Sequence, residues 1–147
     1  MKKFKFTLQS LLNIKILLEK QYMAELAACL ERLRLFQEEL AAIHTRIELR
    51  RNEMRALFES GTTPPELTVY SIGFKALAEK VEEQEQKIEI VRDEISRLRE
   101  KLVEIMKERK MLEKLSEKQL LEHKELQKAE DAVIIDDFIT NKVAMNR

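Results

Sequence analysis

The chain has 147 residues, of which 37% are charged and 5% aromatic, with no tryptophan and two glycines. A thick globular core has little to be built from, and the abundance of Glu, Lys, Leu, Ala and Arg is the composition of long helices and coiled coils. Lysines plus arginines balance aspartates plus glutamates, 27 to 27, which counts against a protein that grips nucleic acid through its phosphates.

The opening stretch, MKKFKFTLQSLLNIKILLEK, has a basic start followed by leucines. Gln9, Ser10, Asn13 and Lys15 interrupt its apolar run and no small-residue cleavage site follows, so it reads as structure and not as a secretory signal. A helix start lies near Thr7, with Phe6 placed to staple onto Leu11. The first helix is expected over residues 8–60, roughly 80 Å at 1.5 Å per residue. Between Leu8 and Tyr22 the repeat is irregular, with Lys15 on the apolar seam and Leu12 and Ile16 beside it. From there Leu26, Cys29, Leu33, Phe36, Leu40, Ile43, Ile47, Arg50, Met54 and Leu57 follow three-then-four spacing, and only Arg50 is not apolar. A narrow stripe repeating every 3.5 residues is a coiled-coil seam.

Both prolines and Gly61 are concentrated in FESGTTPPELTVY, residues 58–70. Gly61 suits the left-handed residue that ends a helix. TPPE then reads as a new start, with Thr63 as N-cap, Pro64 at the first helical position and Glu66 completing a capping box. A helix end and a helix start so close together predict an antiparallel helical hairpin with a single tip at 59–65. The fold class is therefore all-α. Folding about residue 62 sets Leu57 against Leu67, Ile47 against Leu77, Phe36 against Ile88, Cys29 against Ile95 and Leu26 against Leu98.

The second helix is expected over 64–130. Its seam runs Leu67, Tyr70, Phe74, Leu77, Val81, Gln84, Ile88, Val91, Ile95, Leu98, Leu102, Ile105, Arg109, Leu112, with Gln84 and Arg109 the exceptions. Arg50, Gln84 and Arg109 either fix the register or loosen the seam for a partner. Gly73, where alanine would suit a helix better by roughly 1 kcal/mol, either marks a frayed tip or admits a close approach. Beyond Leu115 the seam weakens, with Ser116 and Gln119 on it. Residues 131–147 form a tail in which Val133, Ile134, Ile135, Phe138 and Ile139 are apolar. That tail is either frayed or an anchor for a partner groove.

Little chemistry is legible. His44 and His123 have no Cys or carboxylate constellation at metal-ligand spacing. His44 reads as a solvated flank residue and Cys29 as a small core residue, which cannot form an internal disulfide. There is no Gly-rich phosphate loop, and the carboxylates read as a solvated face paired with lysines. No catalytic, cofactor or metal site is expected, no segment is long and apolar enough to span a bilayer, and the chain reads as cytoplasmic.

The start FKFTLQSLLNIK (4–15), the single-tip hairpin and ERKMLEKLSEK (108–118) resemble the FliJ family, the coiled-coil component of the bacterial flagellar type III export apparatus. The resemblance implies a non-enzymatic stalk like the central coiled coil of rotary ATPases. Its partners would be the export ATPase ring, whose assembly it promotes, the membrane protein of the export gate, and export chaperones. The implied location is the inner face of the cell membrane, reached through the apparatus and without insertion. The ring-facing end would carry Phe4, Phe6, Leu8, Leu11, Leu12, Arg109, Lys110, Leu112 and Leu115. A gate-facing surface near the tip would carry Glu39, Ile43, Arg46, Arg50, Gly73, Leu77, Lys80 and Gln84, among which Ile43 and Leu77 also read as ordinary seam residues. Rival readings are a stalk of a non-flagellar type III secretion system, a structural spacer and, disfavoured by the mixed charges, a nucleic-acid-binding arm.

Overall fold

The computed structural model describes residues 3–146 as two helices, α1 (Gln9–Ser60) and α2 (Pro64–Met145), packed against each other as an all-α hairpin. Strong helix formers and ion pairs one turn apart support both helices. The Arg34 guanidinium reaches Glu31 at 2.6 Å and also bonds Glu38. The hydrogen bond from Arg34 holds the Glu31 carboxyl below its usual range.

The tip follows the chemistry of its residues. Gly61 adopts φ +89°, a conformation open to glycine at little cost. The Thr63 carbonyl accepts the first bond of α2, from the Leu67 amide at 3.2 Å. Glu66 reaches back to accept from the Thr63 amide at 3.4 Å and from Thr62 Oγ1 at 2.8 Å. Its carboxylate also sits in the first turn of α2, where the helix dipole favours negative charge. At the other end of α1, the Gln9 amide donates to the Phe6 carbonyl at 3.1 Å and the Leu12 amide to Leu8 at 2.9 Å.

The hairpin divides into two compact units. One comprises residues 22–101 with the tip, the other residues 1–21 with 102–147. Within the tip unit, burial follows the seam. Cys29, Val91 and Ile95 form a buried cluster against which Leu26, Leu33, Phe36 and Leu98 pack, and Val91 is 2% exposed. Contacts between the helices pair Cys29 with Glu94, Phe36 with Lys87, Glu39 with Gln84 and Arg50 with Gly73. All four pairs are centred close to residue 62, the fold point that the seam spacing implies. His44 is exposed and Cys29 buried.

In the terminal unit, Phe6, Leu12 and Ile105 are buried. Arg109 stands where the seam calls for an apolar residue, and its guanidinium is fully engaged. It bonds Glu19 across the hairpin and Glu113 one turn on, at 2.9 Å. Its hydrogen bonds to Glu19, and then to Glu113, raise the affinity of Arg109 for its proton. Lys15, the other charge on this part of the seam, pairs with Glu108 at 2.5 Å. The Phe4 ring lies 5.7 Å from that of His123. α2 continues as helix through 131–145, the stretch for which the sequence left fraying open, with every described side chain there exposed.

Two measurements check this account. Ile95→Ala should lower the unfolding free energy by about 2–3 kcal/mol, and Leu121→Ala by under about 0.5 kcal/mol, read by urea denaturation with far-UV circular dichroism. Arg109→Met should lower the unfolding midpoint by stranding the Glu19 carboxylate, and adding Glu19→Leu should recover most of the loss. Two losses that simply add would mean that the pair contributes nothing.

Candidate functional site

Two surfaces carry the residues singled out by sequence, one in each unit. In the tip unit the hairpin has an open groove of about 500 Å³ lined by Arg46, Leu49, Arg50, Glu53, Gly73, Ala76, Leu77 and Lys80. Its origin lies in Gly73. A Cβ there would sit 3.2 Å from Arg50 Nη1, so the absent side chain gives the arginine room to lie across α2. Arg50 occupies a seam position yet is exposed, with its guanidinium lying against α2 at Gly73. Arg46 and Lys80 flank it, leaving three cations to one carboxylate, Glu53, over a floor that includes Leu77. No ion pair within the chain engages Arg46, Arg50 or Lys80 among the described residues.

Of the eight residues assigned to a gate-facing surface, the groove brings together Arg46, Arg50, Gly73, Leu77 and Lys80. Glu39, Ile43 and Gln84 lie outside it. Gln84 is 6% exposed, and its amide donates to the Phe36 carbonyl at 3.0 Å and to Glu39 Oε2 at 2.9 Å. It is a satisfied polar residue inside the seam. Leu77 is buried in the floor and Ile43 is half-buried on the seam. Sequence reasoning missed Leu49, 58% exposed, and Glu53 and Ala76. The signal for Leu49 was present, since it is an apolar residue off the seam beside two arginines.

The terminal unit contains the whole of the second set. Phe6 and Leu12 are buried, and Phe4, Arg109 and Leu112 are half-buried, so these five hold the unit together. Leu8, Leu11, Lys110 and Leu115 are exposed. Ile14, Leu17 and Met111 add to the uncovered apolar surface there, at 53%, 66% and 69% exposed. Single exposed apolar residues are ordinary on a protein surface.

Cys29 Sγ accepts from Arg32 at 3.3 Å and donates to Glu94 at 3.6 Å, an interaction that satisfies a core thiol. No three His, Cys, Asp or Glu side chains converge on a metal-sized space, and no helix is long and apolar enough to cross a membrane, among the described residues.

A family model described as flagellar FliJ protein matches residues 4–147, which includes both helices and both surfaces. Comparison with curated proteins and with solved structures returned no match. The match extends over nearly the whole chain, so it covers the hairpin and is not a local coincidence of coiled-coil composition. The chain belongs to the flagellar FliJ protein family, and that membership implies a component of the flagellar type III export machinery.

Proposed function

We propose that the chain works without catalysis as the central stalk of the export apparatus. Its terminal unit engages the export ATPase ring and promotes ring assembly, while its tip unit contacts the membrane protein of the export gate and export chaperones. It acts in the cytoplasm, held at the inner face of the cell membrane through the apparatus. The observation that carries this reading is the uncovered apolar surface of the terminal unit, Leu8, Leu11 and Leu115 together with Ile14, Leu17 and Met111. A spacer would gain nothing by leaving leucines in water. A ring that closes around two helices would bury them, and apolar burial is the main favourable term in such association.

The groove at Gly73 supports the second half of the reading. Three unpaired cations over a leucine floor suit a partner segment that offers carboxylates beside an apolar residue, and complementary charge of this kind governs encounter rate and selectivity. Arg50, held over Gly73 with a planar donor fork, is placed to bind a carboxylate in two-pronged fashion.

Mixing the purified chain with the flagellar export ATPase of the same organism should raise both ring assembly and ATP hydrolysis. A variant carrying Leu8→Ala, Leu11→Ala and Leu115→Ala keeps the buried Phe6 and Leu12 and should stay helical. Each leucine is about two-fifths exposed, so its loss removes under about 1 kcal/mol and the three together weaken ring engagement on the order of thirtyfold. A well-folded wild type that changes neither reading would leave a structural spacer. Separately, Arg46→Glu with Lys80→Glu should weaken binding to the cytoplasmic portion of the gate protein by roughly tenfold or more and make the remainder less salt-sensitive. Unchanged affinity would remove the groove from the gate contact.

A further inference from the structure

Beyond residue 127 every described side chain of α2 is exposed. Ile134, Ile135, Phe138 and Ile139 are between 52% and 67% exposed on consecutive turns. The hairpin does not claim this face. The half-buried row of the terminal unit passes through Ser116, Gln119, His123 and Gln127, and its continuation meets Glu130, Ile134, Asp137 and Asn141, which are mostly polar. The apolar residues instead belong to a second stripe, rotated around the helix. Lys128, Asp131, Ile135, Phe138, Lys142 and Met145 recur at three-then-four spacing, with Ile134 and Ile139 at its flanks.

That stripe is complementary to itself when reversed. Read backwards about the midpoint of Asp136 and Asp137, Ile135 falls opposite Phe138, Ile134 opposite Ile139 and Asp131 opposite Lys142. A two-fold axis produces each of these pairs twice, as an isologous interface requires. Parallel pairing would instead set Asp131 against Asp131 and Lys142 against Lys142, and like charges at facing positions select against it. Neither Asp131 nor Lys142 is engaged in an ion pair within the chain, among the described residues. We propose that residues 128–146 of two chains pair as antiparallel helices, Ile135 on Phe138 at the centre and Asp131 on Lys142 at each end, forming a reversible homodimer.

Two helices of this length joined by one face bury less than the roughly 1,200 Å² at which stable interfaces begin. The dimer is therefore weak, with a dissociation constant on the order of 10–100 µM, and responds to the local concentration of the chain. The pairing uses none of the residues assigned to the ring or the gate, so it stands or falls independently of the stalk reading.

Sedimentation equilibrium of the full chain tests it. Between about 5 µM and about 500 µM the mean mass should climb from 17.4 kDa toward twice that value and no further. Phe138→Asp should hold the mass at the monomer throughout. Asp131→Lys and Lys142→Glu should each weaken association several-fold, whereas the doubly swapped variant should restore it, because reversal of both charges recreates the facing pairs. These sites are exposed, and circular dichroism will show the helices intact; the charge variants keep the test decisive if the aspartate disturbs α2. A monomer at all concentrations, a mass passing beyond the dimer, or self-association indifferent to Phe138→Asp would overturn the proposal. Equal affinity of the single and double charge variants would overturn the antiparallel arrangement.

Discussion

Each helix of this protein carries a narrow apolar stripe along the seam, and a stripe of that width can be taken out of water only by another helix. That constraint governs the molecule. Among the described residues there is no third element to complete a globular core, so stabilisation accrues layer by layer along the seam, and a layer such as Cys29, Val91 and Ile95 depends directly on few others. The tip makes the pairing intramolecular. Gly61 in the left-handed region and Glu66 folded back onto the Thr63 amide and the Thr62 hydroxyl reverse the chain within three residues, and so short a turn leaves little slack for the helices to slip past each other.

Arg50, Gln84 and Arg109 interrupt the regular part of the seam, and they do different things. Gln84 is buried and spends its amide on the Phe36 carbonyl and the Glu39 carboxylate, bonds available in one register only. Arg109 does the same with charge, joining Glu19 to Glu113. Apolar residues would stabilise these layers as well or better but would tolerate displacement, so both polar residues exchange some stability for specificity. Arg50 has no carboxylate partner among the described residues. Facing a glycine, it lies out over α2 and opens a groove where the other two close the seam. A departure from the apolar pattern is thus a lock in two places and a surface in the third.

The surfaces left over follow from the same constraint. A two-helix seam covers only what faces inward, so apolar residues beyond it stay in water until another molecule covers them. The terminal unit leaves Leu8, Leu11 and Leu115 exposed, and the far end of α2 leaves Ile134, Ile135, Phe138 and Ile139 in water. This chain, a member of a flagellar export family, has a modest interior and many apolar residues on the outside.

The elements and their pairing were legible because both are local. Three-then-four spacing sets the face of a helix, and Gly61, Thr63, Pro64 and Glu66 act through the backbone within a few residues of themselves. The fold point near residue 62 follows from those two facts, and the contacts of Cys29, Phe36, Glu39 and Arg50 agree with it. What each seam residue does was not legible, since Arg50, Gln84 and Arg109 look alike in a periodic string. Whether such a residue is locked or exposed depends on what stands across the seam: a glycine opposite Arg50, a backbone carbonyl opposite Gln84, a carboxylate opposite Arg109. The burial of Phe6 and Leu12 beside the exposure of Leu8 and Leu11 was hidden for the same reason. Sequence alone determined the helices, the turn and the register, because these depend on neighbours along the chain. Only the tertiary structure decided which residues hold the hairpin and which stay in water, because that depends on neighbours across it.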